Sequence, residues 1–347
     1  MTDEKQATVS TGAQSPLWRR ALFLAVAAAT LAPFATPALA LGAGIAFALV
    51  LGNPFARSSA RYSKLLLQAC VVGLGFGMPL AAVLRAGASG VAYTIAGIAT
   101  AIVLGLLIGH WLRVHGETSL LITAGTSICG GSAIAAVGPA IGAREEAMGI
   151  ALATVFVLNA VALYLFPPIG HLLHLTQRQF AVWAAIAIHD TSSVVGAAAQ
   201  YGPEALQRAT VLKLARALWI VPLTIAAAAW ARRRDAAGQG QGTGASVASG
   251  APAAPAERPR VKLPWFIGFF LLAAVVRTFA PMGLDPALNA LAALARAGLA
   301  LTLFLIGAGL TRAVLERVGV RPMLQGVLLW GAVGTLTLLA VYRFVAP

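Results

Sequence analysis

Three short stretches place reactive residue types inside an otherwise apolar chain. Thr123 to Pro139 reads T-A-G-T-S-I-C-G-G-S-A-I-A-A-V-G-P. Its adjacent Gly130 and Gly131 weaken a helix, while Thr126, Ser127 and Ser132 offer hydroxyls, with the Cys129 thiol among them, to backbone groups or a ligand. An unwound turn there exposes amides, and the N-terminus of a helix that restarts beyond it attracts anions. Small residues in such a segment equally suit close helix packing. The second stretch, Ile188 to Ser193, carries His189, Asp190 and Ser192; the third carries Lys213 and Arg216, three residues apart and so on one helix face. Lys213 and Arg216 suit binding of an anion, and His189 and Asp190 suit carriage of a proton. The alternative is that Asp190 pairs with one cation to hold helices together. Ionisable groups at membrane depth are costly, and four of them exceed what one stabilising pair needs.

The elements that must position these residues are membrane spans. Of 347 residues 59% are apolar and 10% charged, with mean hydropathy +0.83, which excludes a disordered chain, a coiled coil and a secreted disulfide scaffold. The two cysteines, Cys70 and Cys129, lie in apolar segments and do not read as a structural bridge. The pattern predicts an all-α integral membrane protein of about eleven spans, at 17–33, 37–52, 65–84, 88–111, 118–141, 147–166, 179–201, 207–230, 264–281, 287–311 and 322–345. Residues 1–16 read as a polar cytoplasmic tail, and 17–347 as a single transmembrane domain interrupted by a disordered linker at about 235–260. Arg19-Arg20, a short apolar run and Ala38-Leu39-Ala40 imitate a signal peptide, but hydrophobicity resumes through Leu51, which favours a retained helical hairpin.

The net charge of +14 is a matter of position rather than of nucleic-acid binding. With the N-terminus in the cytoplasm, the inside connectors hold Arg19, Arg20, Arg57, Arg61, Lys64, Arg113, Arg178, Arg232 to Arg234, Arg258, Arg260, Lys262, Arg312, Arg317 and Arg321. The outside holds Arg85, Arg144, Arg208 and Arg343, so the C-terminus is expected outside.

An internal repeat is also legible. Gly75-Phe76-Gly77 with Arg85 and Gly87 recurs as Gly307-Ala308-Gly309 with Arg317 and Gly319, and Lys64 matches Arg296 at the same offset. G-T-S-I-C-G-G-S-A-I-A-A at 125–136, A-I-H-D-T-S-S-V-V at 187–195, V-L-K-L-A-R-A-L-W at 211–219 and G-L-G-F-G-M at 73–78 resemble the YeiH-like family of bacterial inner-membrane proteins, whose name of sulfate exporter records an assumed activity. The resemblance runs from about Leu39 to the end; Thr191 to Ser193 and the long linker depart from it. It implies a distant similarity to the bile-acid/sodium symporter superfamily, in which two broken helices cross between a core and a panel. On that analogy the fifth span is one crossing helix. The tenth, broken near Gly307 and Gly309, is the other, giving a five-plus-five inverted repeat with an extra N-terminal helix. Ser132 to Gly142 also aligns loosely with Ser192 to Gly202, which would make the seventh span the partner, but eleven full crossings make those two spans parallel.

No lysine follows glycine, so there is no phosphate loop and no ATP-driven pump in this chain. An intramembrane enzyme would need Cys129 and His189 as a nucleophile pair; neighbours on a helix point about 100 degrees apart, so Asp190 is poorly placed to orient His189. His171 and His174 have no adjacent carboxylate or thiol to complete a metal site. The expected function is a secondary transporter, without cofactor or metal, for a small anion of the sulfate, sulfite or organosulfonate type. Proton coupling is expected because Asp190 is the one deep carboxylate, with sodium-coupled organic-anion transport as the alternative, followed by an anion channel. The substrate-binding candidates are Lys213, Arg216, Thr126, Ser127, Cys129, Gly130, Gly131, Ser132 and Ser192, and the proton-coupling candidates His189 and Asp190.

Overall fold

A computed structural model describes residues 16–32, 35–239, 265–311 and 319–345. The described residues form α-helices and no strand: α1 (Leu17–Ala29), α2 (Pro37–Val50), α3 (Ala56–Gly75), α4 (Leu80–Trp111), α5 (Gly116–Ser127), α6 (Gly131–Ala140), α7 (Glu145–Leu172), α8 (Gln177–Ala187), α9 (Thr191–Tyr201), α10 (Pro203–Ala217), α11 (Ile220–Gln239), α12 (Trp265–Phe279), α13 (Asp285–Gly307) and α14 (Val320–Phe344). Five stretches of helix are long and apolar enough to cross a membrane: 90–111, 145–172, 203–231, 285–307 and 320–344. A sixth arises if α3 and the start of α4, bent by 110°, act together. Shorter apolar helices fill the rest, among them α2, α6 and α12.

Two of the eleven expected spans turn back on themselves. The fifth is a hairpin of α5 and α6: Gly125 faces Ile134, and the Glu117 carboxylate at its entrance meets Arg144 at its exit, 3.3 Å apart. The seventh is a hairpin of α8 and α9, closed at its base where Arg178 meets Glu204 at 3.0 Å and where Gln177 Oε1 accepts the Glu204 and Ala205 amides. Halves of 10 to 12 residues rise only about 15–18 Å, half a bilayer core, so each hairpin enters and returns on one side. They enter from opposite ends. Gln325 on α14 ties one end of the bundle to α5 at Ser119, while Gln179 on α8 reaches Val345 beyond the far end of α14. The 60-residue offset between Ser132 and Ser192 therefore marks two oppositely inserted hairpins, and the objection that the spans run parallel falls away.

This moves two charges. Arg144 joins the end that carries Arg113, and Arg178 joins Arg208 at the other, an exchange that leaves the Lys/Arg asymmetry as it was. A membrane-impermeant thiol reagent checks the arrangement on cysteine variants of His115 and Gly142, and of His174 and Gly202. Both members of a pair are expected to label from one side, and the two pairs from opposite sides. Labelling of His115→Cys and Gly142→Cys from opposite sides would restore a full crossing.

Beside the hairpins stands a panel of α2, α3, α12 and α13. α3 and α13 lie antiparallel, with Cys70 against Gly298, Gly73 against Ala295 and Gly77 against Ala292. A Cβ on Gly44 would collide with the Phe304 carbonyl oxygen and one on Gly307 with that of Leu41, so α2 and α13 touch backbone to backbone. The repeated glycines thus end α3 and α13 rather than break them. α13 is continuous from Asp285 to Gly307, and the second broken element is the seventh span, not the tenth. The expected span at 65–84 instead straddles the sharp turn before Pro79, where α4 begins. Helix α11 continues through Gln239, so the first residues expected in the linker are helical; 240–260, the tail 1–15 and Arg317 of the repeat lie outside the described residues.

Candidate functional site: two hairpin tips joined by buried cations

The last four carbonyls of a helix have no partner within it, and at membrane depth water does not supply one. At α5 all four are satisfied. Ser127 Oγ donates to Ala124 O (3.0 Å), Gly130 N to Gly125 O (2.8 Å), and Arg216 to Thr126 O and Ser127 O, the latter from Nε at 2.8 Å. At α8, Ile188 N donates to Ala184 O, and Lys213 Nζ to Ala185 O (3.3 Å) and Ile188 O (2.7 Å). The same Arg216 donates to Ile186 O at 2.8 Å. One guanidinium therefore clamps the C-terminal ends of both hairpins' first halves. Lys213 is 0% and Arg216 1% exposed, and their positive charge offsets two negative helix ends. Both side chains come from α10 because residues three apart share a face.

The tips themselves touch. A Cβ on Gly130 would lie 3.2 Å from Asp190 Cβ and 3.2 Å from Val155 Cγ1. Gly130 has φ +63° and ψ −124°, a region open essentially to glycine, and it turns the chain from α5 into α6. Gly130→Ala is expected to cost about 1–3 kcal/mol, read as a lower thermal midpoint in detergent. An unchanged midpoint would mean that the turn is soft.

The second halves begin differently. Gly130 has no side chain with which to cap α6, so the first-turn amides around Gly131 and Ser132 receive no N-cap bond. In α9, Asp190 is the N-cap: its Oδ1 accepts from Ser193 N (2.6 Å) and Ser192 Oγ (2.7 Å), while Oδ2 has only Ser193 Oγ at 3.4 Å. Asn159 of α7 holds this turn, its Oδ1 accepting from His189 N (3.0 Å) and Asp190 N (3.3 Å). Ser132 is exposed and Asp190 and Thr191 half-buried. The side of the junction bearing helix N-termini is thus partly exposed, at Ser132, Asp190 and Thr191, whereas the side bearing C-termini is sealed by Lys213 and Arg216.

Every candidate named from the sequence lies at this junction, but in different roles. Thr126, Ser127, Lys213 and Arg216 build the side bearing helix C-termini, and Gly130, Gly131, Ser132, Asp190 and Ser192 the side bearing helix N-termini. The Cys129 Sγ is 3.0 Å from Ser132 Oγ. Asp190 forms no ion pair with Lys213 or Arg216 within 4 Å, so the structural pairing considered for it is not what holds the helices; carbonyl capping is. Four buried polar atoms here have no hydrogen-bond partner among the described residues: His189 Nδ1 and Nε2, Thr126 Oγ1 and Asn159 Nδ2. In the sequence Asn159 equally suits joining the site or tying two helices, and the structure has it holding this turn; the tie through Gln325 is one the sequence reading lacks. A side-chain amide inside an apolar run is the signal for both. His171, considered for metal, stacks on Tyr201 at 4.3 Å.

Comparison with known proteins gives a consistent outcome. The model of the family described as conserved hypothetical protein 698 matches residues 20–326. A UPF0324 membrane protein of Bdellovibrio bacteriovorus is 50% identical over 309 residues, covering 89% of this chain and 90% of that protein. UPF0324 membrane proteins of Bacteroides thetaiotaomicron and Geobacter sulfurreducens are each 44% identical, covering 88% and 93% of this chain and 86% and 96% of their own lengths. No solved structure matches the chain.

Proposed function

The chain belongs to the conserved hypothetical protein 698 family of UPF0324 membrane proteins, and from its site we propose that it is a secondary transporter for a small anion, coupled to protons and working by alternating access. The observation that carries this reading is the pair of re-entrant hairpins, inserted from opposite ends, whose tips touch at Gly130 and Asp190. Such a junction brings two helix N-termini together, with α6 receiving no side-chain bond from its N-cap residue, and that suits a bound oxyanion more than a continuous ion-conducting pore. Gly131, Ser132 and Ser192 meet the anion, while Lys213 and Arg216, their donors directed at carbonyls, supply field rather than direct contact. His189 and Asp190 are the groups able to carry the proton. An intramembrane hydrolase is less well supported, since no ring nitrogen of His189 bonds the Cys129 thiol.

The charge asymmetry supports an N-terminus in the cytoplasm and a C-terminus in the periplasm of the inner membrane. The deciding experiment is uptake of labelled sulfate, sulfite and an organosulfonate into proteoliposomes under separately imposed proton and sodium gradients. Accumulation driven by the proton gradient supports this reading; accumulation driven only by sodium would favour the sodium-coupled alternative. Uptake of none of these anions under either gradient would remove both.

A further inference from the structure

The junction is a small, buried assembly of fixed charges, and its balance can be drawn up from the contacts. With Lys213 protonated, as its two carbonyl acceptors favour, it and Arg216 contribute two positive charges, both engaged with main-chain carbonyls. The C-terminal ends of α5 and α8 carry about half a negative charge each, so together they offset one cation. Asp190 offsets the other. What remains is about half a positive charge from each of the N-terminal ends of α6 and α9, roughly one in all. Resting on the reading above, we propose that the junction takes one negative charge per anion bound, so that a monoanion binds alone and a dianion binds with one proton placed on Asp190.

The geometry identifies the receiving atom. Asp190 Oδ1 is committed to Ser193 N and Ser192 Oγ, but Oδ2 has only one long contact, to Ser193 Oγ at 3.4 Å. A proton on Oδ2 leaves the N-cap intact. The other charged or titratable groups at the junction are Lys213 and Arg216 of α10, the Cys129 thiol of the opposite tip and the neighbouring His189. Among the helices packed on α9, α2 carries no titratable side chain, and α7 meets this turn with the Asn159 amide, which does not titrate, its His171 stacking on Tyr201 at the far end of α9. Arg296 of α13 lies beside Pro203 and Gln207, at the end of α10 away from the break. The site is not a helix end alone. Asn159, 2% exposed, accepts the Asp190 amide through Oδ1 and leaves its Nδ2 unpartnered at the same turn, and the His189 imidazole, 1% exposed, has both nitrogens unpartnered.

The test compares two probes with similar head groups and different charge, inorganic sulfate and methanesulfonate, bound to the purified full chain. Calorimetry in two buffers of different ionisation enthalpy gives the protons taken up per anion. About one proton is expected with sulfate and about none with methanesulfonate. Sulfate affinity is then expected to fall about tenfold per pH unit where the free carboxylate is ionised, while that of methanesulfonate stays level. Asp190→Asn retains a capping oxygen, so the variant is expected to fold, to bind sulfate without proton uptake and to lose the pH dependence. Equal proton uptake with both anions, or unchanged uptake in Asp190→Asn, overturns the charge balance while leaving anion transport standing. Failure of the wild-type chain to bind either anion, together with no uptake into proteoliposomes, overturns the transport reading with it.

Discussion

Replacing Arg216 by Met is expected to remove sulfate counterflow and to lower stability by at least about 3 kcal/mol, because three buried carbonyls, of Thr126, Ser127 and Ile186, lose their donor at once and each unsatisfied group costs about 1–3 kcal/mol. The loss is larger than for an ordinary buried hydrogen bond because these oxygens are the negative ends of two helices that face each other. Arg216→Lys separates the clamp from the charge. An ammonium on a shorter stem keeps the positive charge but lacks the planar fork that reaches α5 and α8 together. The lysine variant is expected to assemble with a lowered thermal midpoint and at least tenfold slower counterflow. A lysine variant with wild-type midpoint and exchange would show that charge alone suffices and that the clamp is not required. Lys213→Met is milder on this account, since it strips the carbonyls of one hairpin only.

The second large effect concerns coupling. In Asp190→Asn, accumulation of sulfate driven by an inward proton gradient is expected to vanish, while exchange of internal for external sulfate persists. Exchange returns the carrier loaded in both directions and needs no net proton movement; accumulation requires that a proton accompany each anion and be released on the far side. One coupled proton sustains up to tenfold accumulation per unit of pH difference, a factor worth about 1.4 kcal/mol. His189→Gln is the companion measurement. If it abolishes accumulation and Asp190→Asn does not, the imidazole carries the proton. Normal proton-driven accumulation in both variants would leave Lys213 or sodium as the coupling element.

Much of this site could be read from the chain itself. Gly130-Gly131 announces a weakened helix, and Asp190 followed by Thr191, Ser192 and Ser193 is an N-cap signature in the middle of an apolar run. The depth and shared face of Lys213 and Arg216 follow from spacing alone. What hydropathy cannot convey is direction. A segment of about 24 apolar residues has the same composition whether it crosses once or turns back at its centre, and the turn is decided by pairs distant in sequence: Glu117 with Arg144, and Gln177 with the amides after Gly202. The partners of the two cations were illegible for a related reason. Positive side chains invite the expectation of a negative partner, whereas these bind carbonyls that carry no signature in sequence, being present at every residue.

The clamp also sets an order of assembly. Ser127 and its capping guanidinium are separated by 89 residues. While the chain is being made, the first hairpin emerges long before α10 and must wait in the lipid or at the insertion machinery with the carbonyls of Thr126 and Ser127 unanswered. The second hairpin waits far less, since Ile188 and Lys213 are 25 residues apart. Completion of α10 is thus the event that lets both hairpins settle. A nascent chain stopped short of Arg216 holds all the residues of the two tips but not the side chain that joins them.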